Sequence, residues 1–315
     1  MKILFVIPRL LSLFGDEFAI TPHPHLGIAY LSSYLKKKGI DVEIYDMNFD
    51  KKAYELKGLL DKLRPSLIGI TTYSYGYKHY IETVQFIRSL YKGPIIIGGP
   101  HASVMKDKIF EQADADFVIF KEGEYAIFEL ISQINGESNF NNVDNLIYKK
   151  NGTFCKSIRE SYISDLDSLP YPDFFGFGIE KYSCYKSKRL PLITSRGCPY
   201  LCNFCSASVV IGRSYRKRSV ENVVNELEYW VSRGYTNFDI DDDAFNLDLR
   251  RAIDICNEII SRNLKITFEL YNGMRADKVT LELLYKMKQS GCKFLSYGLE
   301  SGDEDVLKQI GKGIT

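Results

Sequence analysis

Short β-branched runs, each followed by an amphipathic stretch, recur along nearly the whole sequence, and no other feature constrains the fold as strongly. The first series contains "KILFVI", "DVEIYD", "SLIGITT", "GPIIIGG" and "ADFVIF". Helical patterns separate them: "LGIAYLSSYLKKKG", stretches near 54–63 and 80–91, a short helix after "GGP", and finally "EYAIFELISQI". Continuous apolar strands alternating with helices predict an α/β fold, a doubly wound parallel sheet covered on both faces. Such sheets bind ligands beyond the carboxyl ends of their strands. Here those ends carry "PRLLSLFGDEF", "TTYSYGY", "GGPHAS" and "KEGE". Gly98 and Gly99, lacking a Cβ, either form a plain strand-to-helix turn or let backbone approach a ligand closely. The G-x-G-x-x-G and G-x-x-x-x-G-K-[ST] patterns are both absent, which removes the usual support for dinucleotide or P-loop nucleotide binding.

"NLIYKKNGTFCK" reads as a hairpin turning at Asn151-Gly152. From 157 to 190 the text is polar, aromatic and proline-marked, with too many aromatics for a disordered linker. The expected organisation is a first domain over 1–140, hairpin and connector over 141–190, and a second domain over 191–315. In that second domain "PLITS", "NFDIDDD", "KITFELYNG" and "CKFLSYGLES" read as strands, with helices near 220–233, 248–262, 279–290 and 304–310. Four βα units in a row predict a partial (β/α) barrel with its chemistry at the strand carboxyl ends. Four units cannot close a barrel. The expectation is therefore that the chain is cut, or that a partner completes it, with 293–299 left as an aggregation-prone edge strand.

The charge balance, 41 basic against 40 acidic residues for a net +1, gives no reason to expect a nucleic-acid or membrane-surface partner. No apolar run approaches the roughly 18 residues of a membrane helix. The start, "MKILFVIPRLLSLFGDEF", is broken by Pro8 and Arg9 and lacks a small-residue cleavage site, so it reads as a first strand rather than a signal peptide. A cytoplasmic location is expected. Seven cysteines in that reducing compartment point to metal or catalysis rather than to disulfides.

Three of the seven, Cys198, Cys202 and Cys205, lie within "SRGCPYLCNFCSAS" at the end of the first barrel strand. A structural zinc site normally takes four ligands, and the other cysteines are poorly placed to supply the fourth: Cys256 and Cys292 lie inside helix and strand patterns, Cys155 and Cys184 before the barrel. Three thiolates suit a four-iron cluster that keeps one iron open. Phe204 supplies an aromatic wall beside the last cysteine.

This stretch resembles the signature of the radical S-adenosylmethionine (SAM) enzymes. The resemblance implies a [4Fe-4S] cluster on Cys198, Cys202 and Cys205. Its open iron chelates the amino and carboxylate groups of SAM, and one electron cleaves SAM to methionine and a 5′-deoxyadenosyl radical. It also implies that Phe204 lines the adenine. "RSYRKRSVENVVNELEYW", "DIDDDAFNLDLRRAIDIC", "NGMRADKVTLELLYKMKQSGC" and "YGLESGDEDVLKQIGKGIT" are similar to the barrels of cobalamin-dependent members. "HPHLGIAYLSSYLKKKGIDVEIYD", "IGITTYSYG", "IIIGGPHAS" and "KEGEYAIFELI" resemble their Rossmann-like cobalamin-binding domain, so the likeness covers nearly the whole chain.

By that likeness Tyr73, Ser74, Gly98, Gly99, Pro100, His101, Glu122, Gly123 and Glu124 form the cobalamin site. D-x-H-x-x-G is missing, so no histidine is expected beneath the cobalt; His79 is placed on an exposed helix face. Where many family members carry Gly-Gly-Glu, this chain has Asp241-Asp242-Asp243. Asp242 and Asp243 either accept hydrogen bonds from SAM or cap the next helix. Arg275 either pairs with the SAM carboxylate or forms a surface salt bridge, while Glu300 and Ser301 face the same mouth. Arg216 and Arg218 are read as solvated or packed against the connector. The implied activity is methylation of an unactivated carbon in a small-molecule substrate, with an electron donor such as flavodoxin or ferredoxin. Radical oxidative cyclisation, as in the anaerobic tetrapyrrole cyclases, and a binding module without turnover are the alternatives. Methylthio transfer is disfavoured, because no cysteine precedes Cys155.

Overall fold

The apolar residues Ile3 to Ile7 are all buried in the first strand, β1 (Lys2–Ile7), as a central parallel strand requires. In this computed structural model, which describes residues 1–9, 23–49, 53–134, 136, 139–150 and 152–314, the chain divides into two units. One is Met1–Ile163 with Pro170–Tyr182; the other is Ser164–Leu169 with Ser183–Thr315. Most of "PRLLSLFGDEF", Asn151 of the expected turn, and Thr315 lie outside the described residues.

In the first unit β1 is followed by α1 (Leu26–Lys37), β2 (Asp41–Asp46), α2 (Ala53–Leu63), β3 (Leu67–Thr71) and α3 (Tyr77–Leu90). Then come β4 (Ile95–Gly98), α4 (Pro100–Met105), α5 (Ile109–Gln112), β5 (Phe117–Ile119), α6 (Glu124–Ile134), β6 (Leu146–Lys150) and β7 (Thr153–Lys156). The strands form one sheet in the order β2-β1-β3-β4-β5-β6-β7. The first five are parallel, and the β6–β7 hairpin adds two antiparallel strands beside β5. Leu4, Val6, Ile68, Ile70, Ile95, Ile97 and Val118 share a core with Leu56, Leu60, Val84 and Ile87 from α2 and α3. Because β1 has β2 on one side and β3 on the other, the chain direction switches between β1 and β3. That switch opens a crevice at the carboxyl ends of those two strands.

The second unit contains α7 (Ser183–Ser187), β8 (Arg189–Leu192), β9 (Ser195–Arg196), α8 (Ala207–Val210), β10 (Arg216–Lys217) and α9 (Val220–Val231). It continues with β11 (Asn237–Ile240), α10 (Leu249–Ser261), β12 (Thr267–Met274), α11 (Leu281–Ser290), β13 (Cys292–Tyr297) and α12 (Glu304–Gln309). Its parallel sheet runs β8-β11-β12-β13 in chain order, as successive βα units demand. Ser219, Asp248, Thr280 and Asp303 cap α9 to α12 by accepting backbone N–H bonds, so each helix starts where the sequence places an N-cap residue. One buried network departs from expectation. Arg218 pairs with the fully buried Glu226 at 2.5 Å and donates to Ile193 O, while Arg216 is buried and donates to Ile211 O. Neither is solvated, because each guanidinium satisfies carbonyls at the carboxyl end of β8 or in the segment before β10.

Candidate functional site

In the first unit the switch-point crevice is bordered, among the described residues, by His25 ahead of α1 and by the segment after β3. His25 caps α1: its Nδ1 accepts the Ile28 N–H at 3.2 Å, and its Nε2 faces Tyr73 OH at 2.9 Å and Thr71 Oγ1 at 3.2 Å. An accepting Nδ1 leaves the proton of the neutral ring on Nε2. Burial pushes the His25 pKa down to about 4, so the ring is neutral at physiological pH. Tyr73 stacks on Tyr75, whose ring is exposed.

Beside them Gly99 leads from β4 into α4 with φ +98° and ψ −178°, and Pro100 takes the first helical position. His101 is buried, its Nδ1 2.9 Å from Ser74 Oγ and its Nε2 3.2 Å from Gln112 Oε1. Both rings thus use both nitrogens within the protein. His79, expected on an exposed face, is partly covered and lies 3.5 Å from Glu82.

At the end of β5 the sequence "KEGE" is mostly internal. Glu122 is buried and accepts the Ile163 N–H at 2.7 Å; Glu124 is buried in the first turn of α6. Both carboxylates were expected beside a ligand, but Glu122 fastens the chain near Ile163. Gly98 is the open position: a Cβ there would meet only Ile119 O, at 3.7 Å. Thr71 is a crevice residue that sequence reasoning passed over, and His25 was weighed there only as a cobalt ligand. Their signal was position alone, one following β1 and the other ending β3.

In the second unit the cysteine loop leaves the carboxyl end of β8. Cys198 and Cys202 are partly buried and Cys205 is exposed; all seven cysteines are free. Cys198 N–H donates to Gly212 O at 3.1 Å and Cys205 N–H to Cys202 O at 3.2 Å. Burial pushes the Cys198 thiol up, and the charges of Asp243, Cys205 and Cys202 push it further. A bound cationic centre would offset that cost of ionising Cys198. Among the described residues no three His, Cys, Asp or Glu side chains converge on a single-ion site. A four-iron cluster asks for less convergence, because each thiolate takes its own iron. The donor set fits such a cluster.

The acidic run is split between roles. Asp242 is buried and accepts Thr194 N–H, Thr194 Oγ1–H and Ser195 Oγ–H, each at 2.6 Å. Arg251 donates to Thr194 O at 2.7 Å from the other side. The strand end that launches the cysteine loop is thus held by a closed network. Asp241 and Asp243 are less enclosed by this network. Burial raises Asp241 to about 7, with Asp239 and Asp242 adding to it; Asp243 is exposed, and partial desolvation of its carboxyl together with the Asp242 charge pushes it upward. Neither caps α10, a role that Asp248 takes.

Phe204 is 55% exposed on the loop. Arg275, expected to face a cofactor carboxylate or the surface, is buried and donates to Asp277 at 2.8 Å, Lys312 O at 2.8 Å and Gly313 O at 3.0 Å. Glu300 pairs with Lys312 at 2.9 Å, and Ser301 Oγ accepts the Asp303 N–H.

Comparison with known proteins gives these two strand-end sites a context. The B12 binding domain family matches residues 19–131, and the Radical SAM superfamily matches residues 192–315. An uncharacterized methyltransferase of Pyrococcus horikoshii is 30% identical over all of this chain and 69% of its own length. The chain is a B12-binding member of the radical SAM superfamily. Another relative in sequence is the anaerobic magnesium-protoporphyrin IX monomethyl ester cyclase of Rubrivivax gelatinosus, 27% identical over the whole chain and 58% of the cyclase. The cobalamin-dependent SAM radical enzyme OxsB, solved with aqua-cobalamin and SAM bound, superposes with a TM-score of 0.84 at 27% identity, covering 100% of this chain and 46% of OxsB. This radical SAM protein therefore spans between about half and two thirds of the relatives it matches. Membership carries a cofactor set: cobalamin for the first domain, SAM and a [4Fe-4S] cluster for the second. Among the described residues no helix is long and apolar enough to cross a membrane.

Proposed function

We propose that this protein is a cobalamin-dependent radical SAM enzyme that methylates an unactivated carbon of a small-molecule substrate. The observation that carries the reading is a three-cysteine loop at the carboxyl end of β8, in a chain whose other domain matches the B12-binding family. In this reading Cys198, Cys202 and Cys205 hold the cluster, and Phe204 offers its exposed ring to the adenine. Bound together, these cofactors supply radical hydrogen abstraction and methyl transfer.

The protein's own residues orient and exchange protons. Asp241, after β11, is raised to about 7 by burial with Asp239 and Asp242 adding to it, where a carboxyl group can accept or return a proton at working pH, and Asp243 is exposed beside it, open to hydrogen bonds from SAM. Glu300 and Ser301, at the end of the fourth strand, border the same mouth. At the switch point of the first domain, Tyr73, Ser74, Gly98 and Gly99 with Pro100 and His101 offer a cobalamin surface, with Gly123 beside it at the end of β5. Neither His25 nor His101 has a nitrogen lone pair left for cobalt. An external one-electron donor of the flavodoxin or ferredoxin class completes the system, and a reducing cytoplasm suits seven free thiols.

The cyclase relative favours a second reading, radical oxidative cyclisation. Full-length reconstituted protein incubated with candidate substrates and methyl-labelled SAM separates the two. Label in the product supports methylation, whereas an oxidised, unlabelled product with matching SAM consumption replaces it with cyclisation.

A further inference from the structure

The segment Gln309–Gly313, "QIGKG", has no role in the reading above, yet it touches the cysteine loop at several points. Asn203, between Cys202 and Cys205, donates its backbone N–H to Ile310 O at 3.0 Å and its side-chain amide to Gln309 O at 3.0 Å. Gly311 has φ +67°, and a Cβ there would lie 2.7 Å from Leu201 O, so the two backbones meet where only glycine fits. Lys312 O and Gly313 O receive the two terminal nitrogens of Arg275, and the Arg275 guanidinium stacks 3.5 Å above the ring of Tyr200. The Lys312 ammonium bonds Glu300 and lies 5.9 Å from the ring centroid of Phe204. Leu201, Asn203 and Phe204 are therefore each met by a single five-residue turn, and Arg275, which pins that turn to the end of β12, covers Tyr200.

We propose that Gln309–Gly313 is a brace that sets the conformation of the cysteine loop, and that Arg275 is its positioning residue rather than a ligand of the SAM carboxylate. This rests on the cluster assignment for Cys198, Cys202 and Cys205. Arg275 suits the task because its planar fork holds two carbonyls and stacks at once, which a lysine cannot do. Three of its five N–H groups are committed before any cofactor arrives, two of them to this turn. Asn203 suits it because one residue supplies two parallel donors to the frayed end of α12, where the last carbonyls have no helical partners.

The test uses full-length protein reconstituted anaerobically, with the variants Asn203→Ala, Gly311→Ala and Arg275→Lys, and with Lys308→Ala on the exposed face of α12 as control. Three quantities are read: iron release to a chelator without SAM, the electron paramagnetic resonance spectrum of the reduced SAM-free cluster, and the dissociation constant for SAM. Loss of the one Asn203 side-chain bond, worth up to about one factor of ten in equilibrium constant, should speed iron release by up to about tenfold in Asn203→Ala, and more in Gly311→Ala. Arg275→Lys should shift the SAM-free spectrum while its SAM affinity falls no further than that of Asn203→Ala. An Arg275→Lys protein with wild-type iron release and spectrum but weakened SAM binding would overturn the proposal and return Arg275 to the cofactor. If wild-type protein holds no iron, the cluster assignment itself fails. Chymotryptic cleavage at Tyr200, Leu201 and Phe204 of the iron-free protein then judges the brace alone: faster cleavage in Gly311→Ala and Arg275→Lys supports it, and equal rates refute it.

Discussion

Replacing Gly98 and Gly99 separately by alanine should separate ligand binding from folding, although the two residues are adjacent. Gly99 sits at φ +98°, ψ −178°, a region that side chains with a Cβ essentially never occupy, and forcing one there costs about 1–3 kcal/mol. The new methyl would also lie 2.8 Å from both Thr71 Oγ1 and Thr72 O, overpacking worth a further ~1–3 kcal/mol. For a unit of this size about 1 kcal/mol corresponds to roughly 2–4 °C, so Gly99→Ala should melt roughly 5–20 °C early. Gly98 has no positive φ, and its methyl would meet only Ile119 O at the ordinary distance of 3.7 Å. Gly98→Ala should keep the wild-type melting temperature. Gly98 lies among the residues read as the cobalamin surface, so its added methyl should weaken cobalamin binding about tenfold, a loss of about 1.4 kcal/mol. Differential scanning calorimetry of the cobalamin-free protein and absorbance titration with cobalamin read the two effects. Wild-type cobalamin affinity in Gly98→Ala, or wild-type melting in Gly99→Ala, would refute the reasoning.

Two further outcomes follow from buried polar groups. Burial holds His25 at about 4 in the folded protein against about 6.5 unfolded, so its contribution to stability is complete above about pH 6.5 and is lost as the pH falls towards 4. Melting temperature should drop across that window, and His25→Gln should flatten the drop; an unchanged slope would remove His25 as the cause. Removing Asp242 breaks three 2.6 Å bonds inside a buried network, so Asp242→Ala should cost about 3–5 kcal/mol and expose the Thr194 amide to hydrogen exchange. Unaltered exchange at Thr194 combined with weakened SAM binding would instead make Asp242 a cofactor contact.

Features that depend on local pattern were legible in the sequence. The apolar runs that became β1, β3 and β4 are buried on both faces, which is what continuous β-branched text encodes. The helices that became α9 to α12 were legible from their amphipathic pattern, but the cap of α10 was not, since Asp248 takes it rather than Asp242 or Asp243. The cysteine spacing identified its loop because all three thiols fall within one turn of chain. Features that depend on distant partners were not legible. Asp242 is committed to Thr194, 48 residues away, and Arg275 to Lys312, 37 residues away. Each reads from sequence as a free charge at a strand end, because nothing local shows which backbone groups will reach it. The Glu122 partner was out of reach in the same way: the Ile163 amide lies 41 residues on. The hairpin at β6 and β7 was legible as a hairpin, but not as an extension of the first sheet, because edge pairing is decided by what β5 leaves open.

The central claim is that Cys198, Cys202 and Cys205 carry a SAM-cleaving iron–sulfur cluster. The most direct measurement is iron per chain in anaerobically reconstituted full-length protein, compared between wild type, Cys202→Ala and Cys256→Ala. Wild type and Cys256→Ala should each hold about four irons, as one four-iron cluster requires, and Cys202→Ala should lose them. Full iron retention in Cys202→Ala, or stoichiometric zinc in place of iron in the wild type, would contradict the account.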